Sequence, residues 1–228
     1  MNWQEVLTRV IEKKLKMLGR DPSSLSDLIF LQDLKVDPDK HLQSFQYIID
    51  LNPQNILEIG CGNGSVLYPF YQLGKSVFGI DYVEKSIEIA KKVMPKGNFE
   101  CSQANNISFE ETFDLILSNS VFQYFDNLDY AKDVIKCCLS KLNRNGNLII
   151  TDLPNANMEK EFSLYRMKEM GLSQKEWDQR YAEVKHLNYD LNDLKAFVEK
   201  LGFRYKYISP SKYTSKHQAF KFDIWITN

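Results

Sequence analysis

The chain has 228 residues, of which 43% are hydrophobic and 26% charged, a composition typical of a folded globular protein. This composition excludes a wholly disordered chain, a collagen-like repeat and a disulfide scaffold. Lys and Arg total 29 and Asp and Glu total 30, so the formal net charge of −1 shows none of the basic excess that nucleic-acid binders usually carry.

The chain contains no signal for a membrane or for secretion. No apolar run approaches the length of about 20 residues that a transmembrane helix needs. The first residues, Met1 to Glu5, have no basic segment leading into an apolar core, as a signal peptide would. We therefore expect a cytoplasmic protein without a membrane span.

The cysteines and histidines form no metal-binding pattern. The cysteines contain no C-x-x-C pair, and the histidines are far apart in sequence. We expect no metal site, and we interpret the cysteines as small apolar core residues in a reducing compartment. The residues concerned are Cys61, Cys101, Cys137, Cys138, His41, His186 and His217.

The first 50 residues are predicted to be helical. Apolar residues recur at helical spacing from Trp3 to Leu18, and Gly19 follows as a stop. Asp37 and Pro38 form a typical helix start, a capping side chain followed by proline, and this second helix ends before Pro53. We expect residues 1–50 to form an N-terminal helical cap.

From residue 55 onward, short apolar runs alternate with helical stretches, a pattern typical of βαβ units and a parallel sheet covered on both faces. The predicted strands are 56–59, 76–80, 98–102, 113–118 and 147–151, and the predicted helices are 65–73, 83–94 and one capped by Asn127.

Residues 153–188 interrupt this alternation. They are predicted to form two helical pieces separated by Gly171, the second beginning at a capping box of Ser173 and Glu176. A further helix over 194–201 precedes two strands, 203–208 and 220–227, whose connection is too short for a parallel crossover. The sequence thus predicts an α/β fold: a Rossmann-like, seven-stranded, mostly parallel sheet with the last strand antiparallel and helices on both faces. Residues 51–228 would form this domain, with 153–188 as a helical lid insert.

A glycine-rich segment follows the first predicted strand. Residues 56–65 read Ile-Leu-Glu-Ile-Gly-Cys-Gly-Asn-Gly-Ser, and glycines allow a tight turn and a close approach to a ligand. A dinucleotide fingerprint, G-x-G-x-x-G/A, would place Ser65 at its third small position, and Glu58 would repel a pyrophosphate. The spacing therefore disfavours a nicotinamide-dependent oxidoreductase.

The pattern E-x-G-x-G-x-G closely resembles motif I of class I S-adenosylmethionine-dependent methyltransferases of the small-molecule type (methyltransferase domain 11/25-like). The order of the later segments is similar to the same family over about residues 40–228. These segments are Val77 to Tyr82, Phe113 to Tyr124, Leu142 to Ile150, and Phe203 onward.

The resemblance implies S-adenosylmethionine as cofactor and S-adenosylhomocysteine as product. Asp81 would accept hydrogen bonds from the ribose hydroxyls and Tyr82 would pack against the adenine, although Asp81 could equally cap a helix. The cofactor-binding residues implied by the resemblance are Glu58, Gly60, Cys61, Gly62, Gly64, Asp81, Tyr82, Gln103, Ala104, Asn105, Ser118 and Asn119.

Two departures from the family bear on function. Many relatives carry an acid after the third strand to hold the adenine amine, whereas Gln103 here offers only a side-chain amide oxygen. The D/N-P-P-Y/F motif of base and amide methyltransferases is absent, and residues 118–121 read Ser-Asn-Ser-Val in its place. This absence argues against methylation of nucleic-acid bases or amides.

Methyl transfer is an in-line displacement, so the protein mainly aligns the reactants and excludes water, and a hydroxyl acceptor would also need a base. Candidates for catalysis follow the predicted strands or lie in the insert, and packing or solvent exposure is the alternative for each. They are Tyr124, Asp152, His186 and His217, the last in the loop 209–218 with Lys212 and Tyr213.

We predict an S-adenosylmethionine-dependent methyltransferase that moves a methyl group to an oxygen or nitrogen of a small-molecule acceptor. The near-neutral charge and the inserted segment argue against a nucleic-acid partner. The alternative is a methyltransferase-like cofactor-binding protein or regulatory subunit without catalysis. The sequence predicts neither the acceptor nor the oligomeric state.

Overall fold

The computed structural model describes residues 2–32, 34, 37–180, 186–208 and 216–228. Its centre is a seven-stranded sheet with the strand order β3-β2-β1-β4-β5-β7-β6. The strands are β1 Asn55–Ile59, β2 Ser76–Asp81, β3 Asn98–Cys101, β4 Phe113–Asn119, β5 Leu142–Pro154, β6 Arg204–Ile208 and β7 Lys221–Thr227.

Strands β1 to β5 pair in parallel, and β7 pairs antiparallel with both β5 and β6. The predicted fold class is therefore confirmed, including the antiparallel last strand. Because parallel strands share one carboxyl edge, the ends of β1, β2 and β4 lie side by side at the centre of that edge.

Nine helices flank this sheet among the described residues. They are α1 Trp3–Leu18, α2 Leu25–Leu31, α3 Pro38–Ile49, α4 Tyr68–Gln72, α5 Glu84–Val93, α6 Leu128–Ser140, α7 Glu159–Glu169, α8 Gln174–Arg180 and α9 Leu191–Lys200. The prediction of two N-terminal helices was wrong, because α2 lies between them. The predicted helix 65–73 begins only at Tyr68, since residues 65–67 form turns after the glycines.

The capping signals of the sequence are confirmed. Gly19 ends α1 in the left-handed conformation at φ 67°, and its N–H donates to the carbonyl of Leu15. The Asp37 side chain accepts from the Asp39 N–H at the start of α3. Before α8, the backbone N–H of Ser173 donates to Glu176 while the Glu176 N–H donates back to the serine hydroxyl.

Apolar side chains fill both faces of the sheet, and a third cluster attaches the N-terminal helices to α5. That third cluster joins Ile11, Leu28 and Leu31 to Val83 and Ile89. It places α1 and α2 beside the carboxyl edge of the strands.

The interpretation of all four cysteines as core residues was wrong for two of them. Cys61 and Cys138 are buried, but Cys101 is exposed and Cys137 half-buried. Among the described residues, no three His, Cys, Asp or Glu side chains are grouped so that they could hold a metal ion. None of the described helices combines the length and the apolar character needed to cross a bilayer.

Candidate active site

The glycine segment forms a tight loop between β1 and α4. Gly60, Gly62 and Gly64 have φ values of 69°, 53° and 86°, a region that other residues rarely adopt. The N–H groups of Gly60 and Cys61 both donate to the carbonyl of Ile80, at 2.8 and 2.9 Å, which joins the loop to the end of β2.

The loop also packs too closely for side chains. A Cβ at Gly60 would lie 2.4 Å from Cγ2 of Val121, and one at Gly62 would lie 2.2 Å from Nε2 of Gln32. Gln32, the neighbour of Gly62, belongs to the N-terminal segment. Glycine is thus required here by both backbone conformation and space.

Asp81, at the end of β2, connects the loop to the start of α5. Its Oδ2 accepts the N–H of Gly62 at 2.8 Å, and its Oδ1 accepts the N–H of Val83 at 2.8 Å. Burial raises the pKa of Asp81, and the two backbone N–H donors oppose that shift. A carboxylate has about four acceptor positions, so two remain for a ligand.

Glu58 is buried in β1 and is not a solvated edge residue, with only 2% of its surface exposed. Its Oε2 atom has no hydrogen-bond partner. Burial, and then the nearby Asp81 carboxylate, raise the pKa of Glu58 well above its usual value. An unpartnered buried carboxyl group is costly unless a ligand supplies its partner.

These residues face a cavity of about 800 Å³ at the carboxyl edge of the sheet. The described wall contains three carboxyl groups, from Glu58, Asp81 and Asp126, and no lysine, arginine or histidine. The cavity is therefore suited to a positively charged ligand.

The wall has contributions from five parts of the chain. They are α1 with Asn2, the end of α2 with Gln32 and Leu34, the ends of β1 and β2, the segment after β3, and the segment after β4 up to Tyr130. Sequence reasoning missed the contributions of Trp3, Gln4 and Gln32. The apolar stripe of α1 was the available signal for the first helix, whereas nothing in the sequence marks Gln32.

The comparisons with known proteins agree with this geometry. Residues 57–150 match the family model described as a methyltransferase domain. Residues 57–150 therefore form a class I S-adenosylmethionine-dependent methyltransferase domain. This match confirms the predicted recognition of the family for residues 57–150.

Two curated relatives of this methyltransferase domain are similar to parts of the chain. The nonribosomal peptide synthetase asqK of Emericella nidulans is 28% identical over 169 residues, covering 68% of this chain and 6% of that protein. The ubiquinone biosynthesis O-methyltransferase of Pelagibacter ubique is 28% identical over 131 residues, covering 54% of this chain and 53% of that protein. The chain thus spans about half the length of the second relative and a small part of the first.

A solved structure is similar over nearly the whole chain. The plantazolicin methyltransferase BpumL, in complex with a pentazolic desmethylPZN analog and SAH, has a TM-score of 0.64 at 20% identity. The match covers 99% of this chain and 98% of that one. This likeness supports the fold, including the N-terminal helices and the insert.

The methyltransferase cavity brings together eight of the twelve residues predicted to bind the cofactor. These are Glu58, Gly60, Gly62, Asp81, Tyr82, Gln103, Ala104 and Asn119. The other four do not line this cavity. Cys61 packs against Gly79, Gly64 faces Met94, Ser118 donates to the carbonyl of Ile59, and Asn105 accepts from the hydroxyl of Tyr130.

Tyr124 lies in the cavity wall, where three covering segments meet. Its ring contacts Trp3 of α1 edge-on at a centroid distance of 4.8 Å and His186 at 5.5 Å. Trp3 stacks on His186 at 5.1 Å. His186 itself does not line the cavity, so the inserted segment reaches the site through this aromatic contact.

The environment of His186 fixes how it could act. Nδ1 lies 3.2 Å from a guanidinium nitrogen of Arg166, which can only donate, so the ring proton lies on Nε2. Burial, Arg166 and Lys221 lower the pKa of His186 to about 4. In this arrangement Nε2 is a hydrogen-bond donor and not a base.

Asp152 does not line the cavity, but it is hydrogen-bonded to Ser120, which does. Its Oδ2 accepts from the Ser120 hydroxyl, which lines the wall, and from Nζ of Lys221 at 2.7 Å. Both Ser120 and Asp152 adopt left-handed backbone conformations, at φ 58° and 69°. Such strain in non-glycine residues is frequent at functional sites.

His217 lies away from the cavity. Its Nε2 is 2.5 Å from a carboxylate oxygen of Glu169 at the end of α7, and the two side chains are 41% and 48% exposed. Lys212 and Tyr213, which were expected near it, lie outside the described residues.

Proposed function

We propose that this chain transfers a methyl group from S-adenosylmethionine to an oxygen or nitrogen nucleophile of a small molecule. The observation that carries the proposal is the charge of the cavity wall, three carboxyl groups without a cation among its described residues. S-adenosylmethionine carries a sulfonium and an ammonium group, whereas a nicotinamide dinucleotide carries a pyrophosphate that this wall would repel.

The two buried acids of the wall would each bind one polar part of this donor. Asp81 has two remaining acceptor positions for the ribose hydroxyls. Glu58, with its unpartnered oxygen, would accept from the ammonium group. In both pairings the ligand would supply a hydrogen-bond donor to a buried carboxylate that still has a free acceptor position.

The acceptor would enter on the side of Tyr124 and Ser120, because the glycine loop and Asp81 hold the donor from the other side. For a hydroxyl acceptor, Asp152 would take the proton through the Ser120 hydroxyl. Tyr124 would orient the acceptor. We place residues 1–50 and 153–188 as covers of this side, and we do not assign His217 a role in the reaction.

A cavity of about 800 Å³ and the net charge of −1 favour a small-molecule acceptor over a nucleic acid. The curated ubiquinone biosynthesis relative is named as an O-methyltransferase, which is consistent with an oxygen nucleophile.

Calorimetry with S-adenosylmethionine, S-adenosylhomocysteine and NAD tests the donor. We expect the first two to bind and NAD not to bind, and the opposite pattern would refute the proposal. Turnover is then measured as S-adenosylhomocysteine release with a panel of small phenols, carboxylic acids and amines, with Asp81→Ala as the control in which donor binding is weakened. Donor binding without release on any acceptor would instead favour the cofactor-binding protein without catalysis.

A further inference from the structure

Gln32 lies between the N-terminal segment and the glycine loop. It caps the C-terminus of α2, outside the matched residues 57–150, yet its side chain lines the donor cavity. Its Nε2 atom lies so close to Gly62 that a Cβ there would be 2.2 Å away. The absence of a side chain at Gly62 therefore makes room for this amide.

The other end of the Gln32 amide is hydrogen-bonded to the segment after the glycine loop. The Ser65 hydroxyl donates to Oε1 of Gln32, and the carbonyl of Ser65 in turn lies 3.3 Å from Nε2 of His41. Nearby, Nδ2 of Asn63 donates to the carbonyl of Leu28 in α2 at 2.9 Å. The end of α2 is thus attached to the loop that follows β1.

With Oε1 engaged, the amide nitrogen of Gln32 lies beside Gly62, and both residues line the cavity. Nε2 donates no hydrogen bond to any residue that the structure describes. An amide N–H next to a ligand cavity without a partner is a site for a hydrogen-bond acceptor.

S-adenosylmethionine carries one negatively charged group, which needs a partner in this cavity. Its carboxylate would meet a wall that has three carboxyl groups and, in the part described, no lysine, arginine or histidine. Neutral N–H donors are then the partners that the described wall offers to an anion, and Nε2 of Gln32 is one that lies beside the glycine loop.

We propose that Gln32 binds the carboxylate of the donor through Nε2 and so makes the N-terminal segment part of the donor site. This inference rests on the proposed function, since it names the residue that binds the carboxylate end of that methyl donor. It assigns a binding role to a residue at the end of α2, which lies outside the matched residues 57–150.

The test compares two ligands that differ only in the carboxylate: S-adenosylmethionine and its decarboxylated form, which keeps the sulfonium and the ammonium group. Their affinities are measured by calorimetry on the whole chain and on the Gln32→Met and Gln32→Glu variants. Thermal unfolding verifies that each variant is folded. Gln46→Ala, which removes an exposed glutamine of α3 bonded only to Asp50, is the matched control.

We expect Gln32→Met to weaken S-adenosylmethionine binding by about tenfold or more, the loss of one hydrogen bond to a charged group, and to change binding of the decarboxylated form less than about twofold. Gln32→Glu should weaken the first still further, because like charges then meet, and not the second. Gln46→Ala should change neither affinity.

An equal loss for both ligands would show that Gln32 only holds α2 against the loop, and no loss for either would remove it from the donor site. Both results overturn the inference while leaving the proposed function intact. Failure of the unaltered chain to bind S-adenosylmethionine would instead overturn the proposed function itself. If Gln32→Met does not fold, the affinities of Gln32→Glu for the two ligands decide alone: a loss for S-adenosylmethionine only supports the inference, and an equal loss or no loss overturns it.

Discussion

Replacing Asp81 by asparagine separates its proposed contact with the donor from its role in the fold. The carboxylate accepts one backbone N–H on each oxygen, from Gly62 and Val83, both at 2.8 Å. Asparagine has nearly the same shape but only one acceptor oxygen, so it keeps one of these bonds. Burial raises the pKa of Asp81, so folding disfavours its charged form, and asparagine avoids that cost. We therefore expect a melting temperature within a few degrees of the unaltered protein.

The effect on the affinity for S-adenosylmethionine should be much larger than the effect on stability. Two hydrogen bonds from the ribose hydroxyls to a charged group contribute about 1.5–3 kcal/mol each, and since they share one carboxylate they are not fully additive. A total loss of about 2–4 kcal/mol corresponds to roughly 30- to 1000-fold weaker S-adenosylmethionine binding. The loss should be greatest for Asp81→Ala and smaller for Asp81→Asn.

Calorimetry on folded variants measures this loss, with Asp126→Asn as the charge-matched control. Asp126 also lines the cavity but is exposed, so water screens its charge and we expect less than about a threefold change. If Asp81→Asn is folded and its affinity for S-adenosylmethionine also changes less than threefold, then Asp81 only joins the glycine loop to α5, and the donor is held elsewhere.

Three further predictions concern neighbouring positions. Gly79→Ala should destabilise the fold by about 1–3 kcal/mol in chemical denaturation, because its Cβ would lie 2.6 Å from Sγ of Cys61; a fully stable variant would contradict this packing. Burial and Asp81 raise the pKa of Glu58, so the stability from its bound proton is full below its unfolded pKa and falls as pH rises toward the folded pKa. Glu58→Gln should therefore flatten the decline of the ligand-free melting temperature with rising pH, and an unchanged slope would assign that decline to other groups. Tyr124→Ala should lower turnover more than donor affinity, and equal effects on both would place Tyr124 in the donor site.

The donor side of the site could be predicted from the sequence because it depends on local patterns. A buried strand, a glycine turn and an acid at the end of the next strand are all visible within residues 56–81, and the parallel sheet brings them together. Two residues of the loop are exceptions. Cys61 lies between two glycines of the wall and its side chain packs against Gly79, whereas Gly64 lies at the end of the loop and faces Met94.

The acceptor side was harder to predict because it depends on the order of strands. His217 was expected near the cavity because it follows β6, which runs parallel to the central strands. In the sheet order, however, β6 is the edge strand, four positions from β1, or about 19 Å at the usual strand spacing. Nothing in the local sequence specifies that order.

The α2 helix was missed for a different reason. Its seven residues, Leu25–Leu31, are too few to show a helical period, and four of them are buried. Its stability therefore comes from packing against α1 and α5 and from the capping hydroxyl of Ser24. A helix of this kind is specified by tertiary contacts that become apparent only in the folded chain.

The origin of the cavity wall indicates where acceptor choice is determined. The residues at the ends of β1, β2 and β4 belong to the matched domain, and their conformation is dictated by the sheet and the glycine loop. The opposite wall comes from α1 and α2, and the Trp3 ring of α1 closes it against Tyr124 and, through stacking, against His186 of the inserted segment. Since a transferred methyl group must face the acceptor in line with the sulfur, we expect changes at Trp3 and its contacts to alter which molecule fits, whereas changes at Gln32 should alter how the donor is held. Helix α1 and the insert are therefore the parts of the chain in which differences between methyltransferases of this fold should change the acceptor.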